Sequence, residues 1–270
     1  MSRIRLVAID CDDTLLASDL SISEENRRAI HGAMEQGVMV TLATGRMYQS
    51  CLPFARELGI EGPLITYNGA LVKETDGRVW FCETIPREVA IRVATLAAAQ
   101  GLCLLVYVDD ELYVKEITPA VGVYLSVSRV IAHAVGDLAA FLASSGEPTK
   151  LLFVDEPEVL KSLEPRFQKD FAGELEITSS KRHFLELMKT GVSKGRALEE
   201  IAKNLGYRRE EIMSIGDGNN DIPLLKAAGI GVAMENGAPK LKEVADYVTL
   251  SHDASGVAHA INRFVLNKGR

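Results

Sequence analysis

The residues of this 270-residue chain whose types and spacing could do chemistry are acids in two places far apart in sequence. Asp10, Asp12 and Asp13 lie within four positions and run into Thr14, while Asp217 and Asp221 bracket Gly218-Asn219-Asn220. Carboxylates at that density repel one another, so a hard divalent cation is the simplest neutraliser; with all-oxygen ligands, magnesium is the expected ion. Taken singly, Asp12, Asp13 and Thr14 read equally well as turn and capping residues, and Asp217 and Asp221 as a turn leading into a helix. Thr44-Gly45-Arg46, and Lys194 at a helix start in Ser193-Lys194-Gly195, are weaker signals still. What joins these pieces is where they fall among the elements.

Residues 4–9 form a near-continuous apolar run, the pattern of a strand buried on both faces, and it stops at Asp10. Ser23 is a candidate cap for a helix that ends before Gly37, and residues 38–43 read as a second strand. A helical stretch at 47–58 and a third short strand at 63–66 follow, the latter running into an Asn68-Gly69 turn. The same alternation returns later, with helices at 194–205, 220–227, 238–244 and from about 254, and strands at 212–215 and 230–233. Open parallel sheets bind ligands beyond the carboxyl ends of their strands. The polar segments named above, Asn68-Gly69 included, each follow a predicted strand or open a predicted helix.

Between these halves the grammar changes. Helices at 87–99, 136–144 and 157–169 mix with strands at 102–108, 111–115, 150–154, 174–178 and 183–188, and Asp109-Asp110 suggests a hairpin, which parallel sheets do not use. The expected fold is α/β: a Rossmann-like parallel-sheet core formed by residues 1–85 and 189–270, with an α+β domain at 86–188 inserted into it.

Composition narrows the function. Thirty Lys and Arg against 37 Asp and Glu give a net charge of −7 with no basic run, which argues against nucleic-acid or anionic-membrane partners. The uncharged stretch at 93–108 is shorter than the roughly 18–20 residues needed to span a bilayer. Cys11, Cys51, Cys82 and Cys103 show no CxxC and no metal spacing, which suits reduced thiols of a cytoplasmic protein, and residues 1–10 do not form a signal peptide. The stretch from Asp217 imitates the start of a calcium loop, but Ile222 stands where that loop needs Gly and Ala228 where it needs Glu. Neither a GxxxxGK phosphate loop nor a GxGxxG fingerprint is present, and serine-hydrolase chemistry is not expected.

Four separated stretches in order resemble the haloacid dehalogenase superfamily, and within it the Cof-like sugar-phosphatase subgroup with a large α/β cap. They are Asp10-Cys11-Asp12-Asp13-Thr14 for DxDxT, Ala43-Thr44-Gly45-Arg46 for ATGR, Lys194 in Gly191-Val192-Ser193-Lys194-Gly195, and Gly216 to Asp221 for GDGxND. The resemblance implies hydrolysis of a small phosphorylated metabolite in two steps, with no obligate protein partner. Asp10 would attack phosphorus to form an aspartyl-phosphate, and Asp12, protonated at first, would serve as general acid and then as base. Mg2+ would be held by the Asp10 carboxylate, the Asp12 backbone carbonyl and Asp217, with Asp221 a direct or water-mediated ligand. Thr44, Gly45, Lys194 and Asn220 fall on the phosphate-binding side. Arg46 would face the substrate or act as a structural ion-pair partner on the core. The cap would close over the site and choose the leaving group through residues without a local signature, Arg182 and His183 being guesses. One departure is Asp13, where the family usually has Gly. A sugar phosphomutase or phosphotransferase of the same core and cap, and a non-catalytic sugar-phosphate-binding relative, share the motifs. A receiver module would need its phosphoacceptor on a later strand.

Overall fold

The structure is a computed structural model and describes residues 3–179 and 182–267. The chain begins with β1 (Leu6–Ile9), α1 (Glu24–Glu35), β2 (Met39–Leu42), α2 (Tyr48–Glu57), β3 (Pro63–Thr66), β4 (Leu71–Glu74) and β5 (Val79–Cys82). Next come α3 (Arg87–Gln100), β6 (Leu104–Val108), β7 (Glu111–Val114), α4 (Pro119–Ser128), β8 (Ala132–Ala134), α5 (Leu138–Ser144), β9 (Lys150–Val154), α6 (Pro157–Asp170), β10 (Leu175–Thr178) and β11 (Phe184–Lys189). It ends with α7 (Lys194–Leu205), β12 (Ile212–Gly216), α8 (Ile222–Ala227), β13 (Ile230–Ala233), α9 (Pro239–Val244), β14 (Tyr247–Val248) and α10 (Gly256–Phe264). Two compact units result: Met1–Gly45 with Cys51–Trp80 and Ser193–Arg270, and Arg46–Ser50 with Phe81–Val192.

The first unit is built on a five-stranded sheet in the order β14-β13-β12-β1-β2, with every pair parallel. Leu6, Val7, Ala8 and Ile9 are completely buried, as a strand covered on both faces must be. Leu6 registers with Ile212 on one side and Met39 on the other. The chain leaves β1 toward β2 and returns to its opposite flank as β12, so strand order reverses there and the carboxyl ends of β1 and β12 lie side by side. This is the topological position at which α/β sheets bind ligands.

The segment expected as a third parallel strand behaves differently. β3 meets the main sheet through a single parallel bridge between Ala43 and Ile65, and otherwise pairs antiparallel with β4 in a separate three-stranded sheet, β3-β4-β5. Only the short turn at 67–70 separates Thr66 from Leu71, its partner, and so tight a return permits only antiparallel pairing. The strands at 71–74 and 79–82 were not anticipated, because their charged flanks mask a pattern only four residues long.

The Ser23 cap holds: its side chain accepts from Asn26 N at 3.2 Å, with Glu24 and Glu25 in the first turn. Asn26, fully buried, accepts from Ala258 N at 2.8 Å and donates to Leu15 O at 3.4 Å. One amide thereby ties α1 to α10 and to the loop that follows β1.

The second unit carries a six-stranded mixed sheet, β10-β11-β9-β6-β7-β8, antiparallel except for the β7–β8 pair. Val93 and Ala97 of α3, Leu142 of α5 and Phe167 of α6 pack with Val106 and Phe153 of the strands into one apolar core. The expected hairpin is present, with Asp109 at φ 52° and Asp110 at φ 62°, the left-handed pair that a two-residue turn requires. α4 escaped the sequence reading because its β-branched and glycine-containing run resembles a strand, although Thr118 and Pro119 supply a proper helix start. Among the described residues, no helix is long and apolar enough to cross a membrane.

Replacing Asn26 by Ala leaves a backbone donor and a backbone acceptor unpaired in the interior. We expect a loss of about 1–3 kcal/mol in urea denaturation; a loss below about 0.5 kcal/mol would mean that the loop after β1 is anchored elsewhere.

Candidate active site

β1 delivers Asp10, 5% exposed, to the carboxyl edge of the sheet, and the chain then turns tightly, with Leu16 N donating to Cys11 O at 2.9 Å. Inside this turn Asp13 takes a left-handed conformation at φ 57°, exposed to solvent, and its carbonyl accepts from Asn236 Nδ2 at 2.8 Å. Asp reaches this region more readily than most residues, which is how the position tolerates something other than Gly. Thr14 is buried and donates from Oγ1 to Asp217 Oδ1 at 2.9 Å.

The second acidic segment follows β12. Asp221 Oδ2 accepts from Asp217 N at 3.0 Å and Gly218 N at 2.9 Å, folding the segment back on itself. That closure requires a glycine at 216, since a Cβ there would lie 2.6 Å from the Asp221 Cγ. The third contributor is α7. Ser193 caps it, accepting from Arg196 N at 3.1 Å, and Lys194 in its first turn is 1% exposed. Its Nζ lies 2.6 Å from Asp10 Oδ1 and 2.6 Å from Asp221 Oδ1. Gly191 to Gly195 does fit the Gly-x-Ser-x-Gly pattern of serine hydrolases, so that motif is not absent from the sequence, contrary to the expectation; here Ser193 serves as the helix cap.

Carboxylate oxygens of Asp10, Asp217 and Asp221 all lie within 4.8 Å of one another. Of the five acids singled out in the sequence, these three form the group, while the carboxylates of Asp12 and Asp13 stand outside it. Burial pushes the Asp10 carboxyl well up, Lys194 draws it down, and Asp221 and Asp217 raise it further. Burial and the neighbouring Asp221 push Asp217 up to about 7, against the pull of the Thr14 hydrogen bond. For Lys194, burial favours the neutral amine, but Asp10 and Asp221 together hold the ammonium well above the usual lysine range.

The other sequence-predicted residues have contacts of their own. Thr44 is buried, its N–H donates to Ile65 O at 2.8 Å and its carbonyl accepts from Asn68 N at 3.0 Å. Asn220 donates from Nδ2 to Asn68 Oδ1 at 3.0 Å. Gly45 continues the first unit, whereas Arg46 groups with the second and donates to Ser50 Oγ at 3.1 Å. Sequence reasoning gave no role to Asn68 or to the Thr14 side chain and did not mention Asn236. Asn236 lies just beyond β13, so the rule of inspecting strand ends would have found it had it been applied to that strand.

The haloacid dehalogenase-like hydrolase family matches residues 7–261 of this chain. Phosphatase YwpJ of Bacillus subtilis (strain 168) is 31% identical over 290 residues, covering 97% of this chain and 100% of its own. The 5-amino-6-(5-phospho-D-ribitylamino)uracil phosphatase YcsE of the same organism is 31% identical over 264 residues, covering 97% of this chain and 96% of its own. The crystal structure of a haloacid dehalogenase-like hydrolase from Bacteroides thetaiotaomicron superposes with a TM-score of 0.87 at 31% identity, covering 97% of this chain and 99% of that one. With family, relatives and fold in agreement over nearly the full length, the chain belongs to the haloacid dehalogenase-like hydrolases, as one of their phosphatases for small phosphate esters.

Proposed function

We propose that the chain is a cytoplasmic, magnesium-dependent phosphatase of sugar phosphates or similarly hydroxylated phosphate monoesters, working through an aspartyl-phosphate. The observation that carries this reading is the Asp10–Asp217–Asp221 group with the Lys194 ammonium bridging two of its members. Three carboxylates and one ammonium leave two negative charges among hard oxygen donors, and that fits a magnesium ion. Asp10, Asp217 and the Asp12 backbone carbonyl would hold it. Asp221, whose oxygens already serve two backbone N–H groups and Lys194, suits a water-mediated contact. The bound ion would offset negative charge between nucleophile and phosphate.

In this reading an Asp10 oxygen attacks phosphorus, the ester P–O bond breaks, and Asp12 gives its proton to the departing alcohol oxygen. Asp12 then takes a proton from water, which attacks the aspartyl-phosphate and releases inorganic phosphate with Asp10 restored. Lys194, Thr44, Gly45 and Asn220 hold the non-bridging oxygens, supplying the charge and positioning on which phosphoryl transfer depends. Arg46 belongs to the substrate side. The chemistry falls to residues 1–85 and 189–270, and the choice of leaving group to 86–188. The substrate in YcsE's name carries its phosphate on a ribityl chain, which supports a hydroxylated leaving group.

The test is phosphate release from an aryl phosphate and a panel of sugar phosphates, with magnesium and with chelator. Chelation is expected to abolish turnover, and Asp10→Asn to lower kcat by at least about a thousandfold; turnover near wild type in that variant would end the aspartyl-phosphate reading. Asp13 is exposed and outside the carboxylate group, so Asp13→Gly is expected to keep kcat/KM within a few-fold. Complete inactivity would assign Asp13 a catalytic role.

Stability should follow pH in the cation-free protein. Between the ordinary 3.8 and about 7, folded Asp217 retains a proton that the unfolded chain has released. The folded state therefore binds more protons, and stability falls as pH rises through that window. Urea midpoints in chelator should be lower at pH 7.5 than at pH 5, and magnesium should raise the pH 7.5 midpoint selectively. A cation-free protein more stable at pH 7.5 would contradict this electrostatic picture.

A further inference from the structure

We infer that Asn68 is a positioning residue for the phosphate-binding side of the site, acting through Asn220; the inference rests on the phosphatase reading above. Tyr67–Gly69 form a short turn directly after β3, with Tyr67 at φ 52°, Asn68 at φ 55° and Gly69 at φ 100°. Two successive non-glycine residues in the left-handed region carry a conformational cost, and the surrounding structure must hold them there. Asn68 is also 2% exposed, so its amide has to be satisfied by the protein.

The contacts that hold this turn lead to three segments carrying proposed site residues. Asn68 N donates to Thr44 O at 3.0 Å. Asn68 Oδ1 accepts from Asn220 Nδ2 at 3.0 Å, across 152 residues of sequence. Gly69 lies against the start of α7, where a Cβ would come within 2.3 Å of Ser193 O and 3.1 Å of Lys194 N. The turn thus registers Thr44, Asn220 and Lys194 against one another, although they come from the segment after β2, the segment after β12, and α7.

The side-chain contact has a specific chemical consequence. A carboxamide nitrogen carries two donors. Committing one Asn220 N–H to Asn68 fixes the rotation of the amide, so the second N–H keeps a constant direction. A donor aimed before a phosphate arrives costs little reorganisation when it binds, whereas a swinging amide must be ordered each time. Asn68 acts in this way without touching the phosphate.

The test is a double-mutant cycle on the full chain with saturating magnesium, using Asn68→Gly, Asn220→Ala and the double variant. Glycine accepts the left-handed backbone, so Asn68→Gly deletes the amide while sparing the turn. The readouts are KM for an aryl phosphate, the competitive inhibition constant of inorganic phosphate, and Tm. Each single variant is expected to raise KM and the inhibition constant about five- to tenfold, the scale of one hydrogen bond. The double variant should lie within about twofold of the weaker single, because both changes remove the same aimed donor. Unchanged phosphate inhibition in Asn68→Gly, or single effects that multiply to roughly fiftyfold in the double, would overturn the inference. A Tm loss with phosphate inhibition intact would show Asn68 to be structural and would overturn it as well. If Asn68→Gly does not fold, Asn68→Ser, whose shorter side chain does not reach Asn220, takes its place in the cycle, and the same outcomes support or overturn the inference. Wild-type protein that neither hydrolyses aryl phosphate nor is inhibited by phosphate would instead sink the phosphatase reading, and this inference with it.

Discussion

A lysine ammonium held 2.6 Å from each of two buried carboxylates is the contact on which the site depends. Asp10, Asp217 and Asp221 crowd within 4.8 Å, and two carboxylates at such a distance repel by roughly 3–4 kcal/mol at an effective dielectric near 20. Left alone, they would take up protons or push the loops apart. Lys194 keeps Asp10 and Asp221 together but leaves the group anionic. Asp217, the member without the lysine contact, has the Thr14 hydroxyl in its place.

That arrangement makes heavy demands on the scaffold, and the scaffold meets them with backbone rather than bulk. β1 and β12 bring Asp10 and Asp217 to one edge because strand order reverses between them. A glycine at 216 lets Asp221 fold back over its own strand end, and Asn236 secures the carbonyl of the left-handed Asp13. The buried Asn26 joins the loop after β1 to two helices. The apolar strands set the position of the site, and these small polar ties set its geometry.

How much of this could be read from letters depended on the range of the interaction. The apolar run before Asp10, the Ser23 cap and the Asp109-Asp110 hairpin are local patterns, and each formed as its residues indicate. The α/β class and the inserted mixed sheet followed from the alternation of such patterns. β3 misled because its residues suit a buried strand of either kind, and its partner was decided by a turn and by strands too short to announce themselves. At the site, the acids Asp10, Asp217 and Asp221 were legible from their place after strands, and Lys194 only more weakly, as a lysine at a helix start. The hydrogen bond between Thr14 and Asp217 spans 203 residues, and nothing local to Thr14 encodes it. Asn68 was read only as half of a turn, since an Asn-Gly pair carries that meaning wherever it occurs.

The placement of β1 between β2 and β12 also fixes when the carboxylate group can assemble during the protein's own synthesis. β2 arrives soon after β1, but the other edge of β1 waits for residues 212–216, and Asp10 waits for Lys194. At about 5–20 residues per second, that interval lasts on the order of ten seconds or more. Until Lys194 is made, the nascent chain carries the first acidic motif without its counter-charge, and until β12 is made it carries an unpaired strand edge of four apolar residues. A chain cut short between β2 and β12 therefore retains Asp10 but lacks Asp217 and Asp221, and leaves one edge of β1 unpaired.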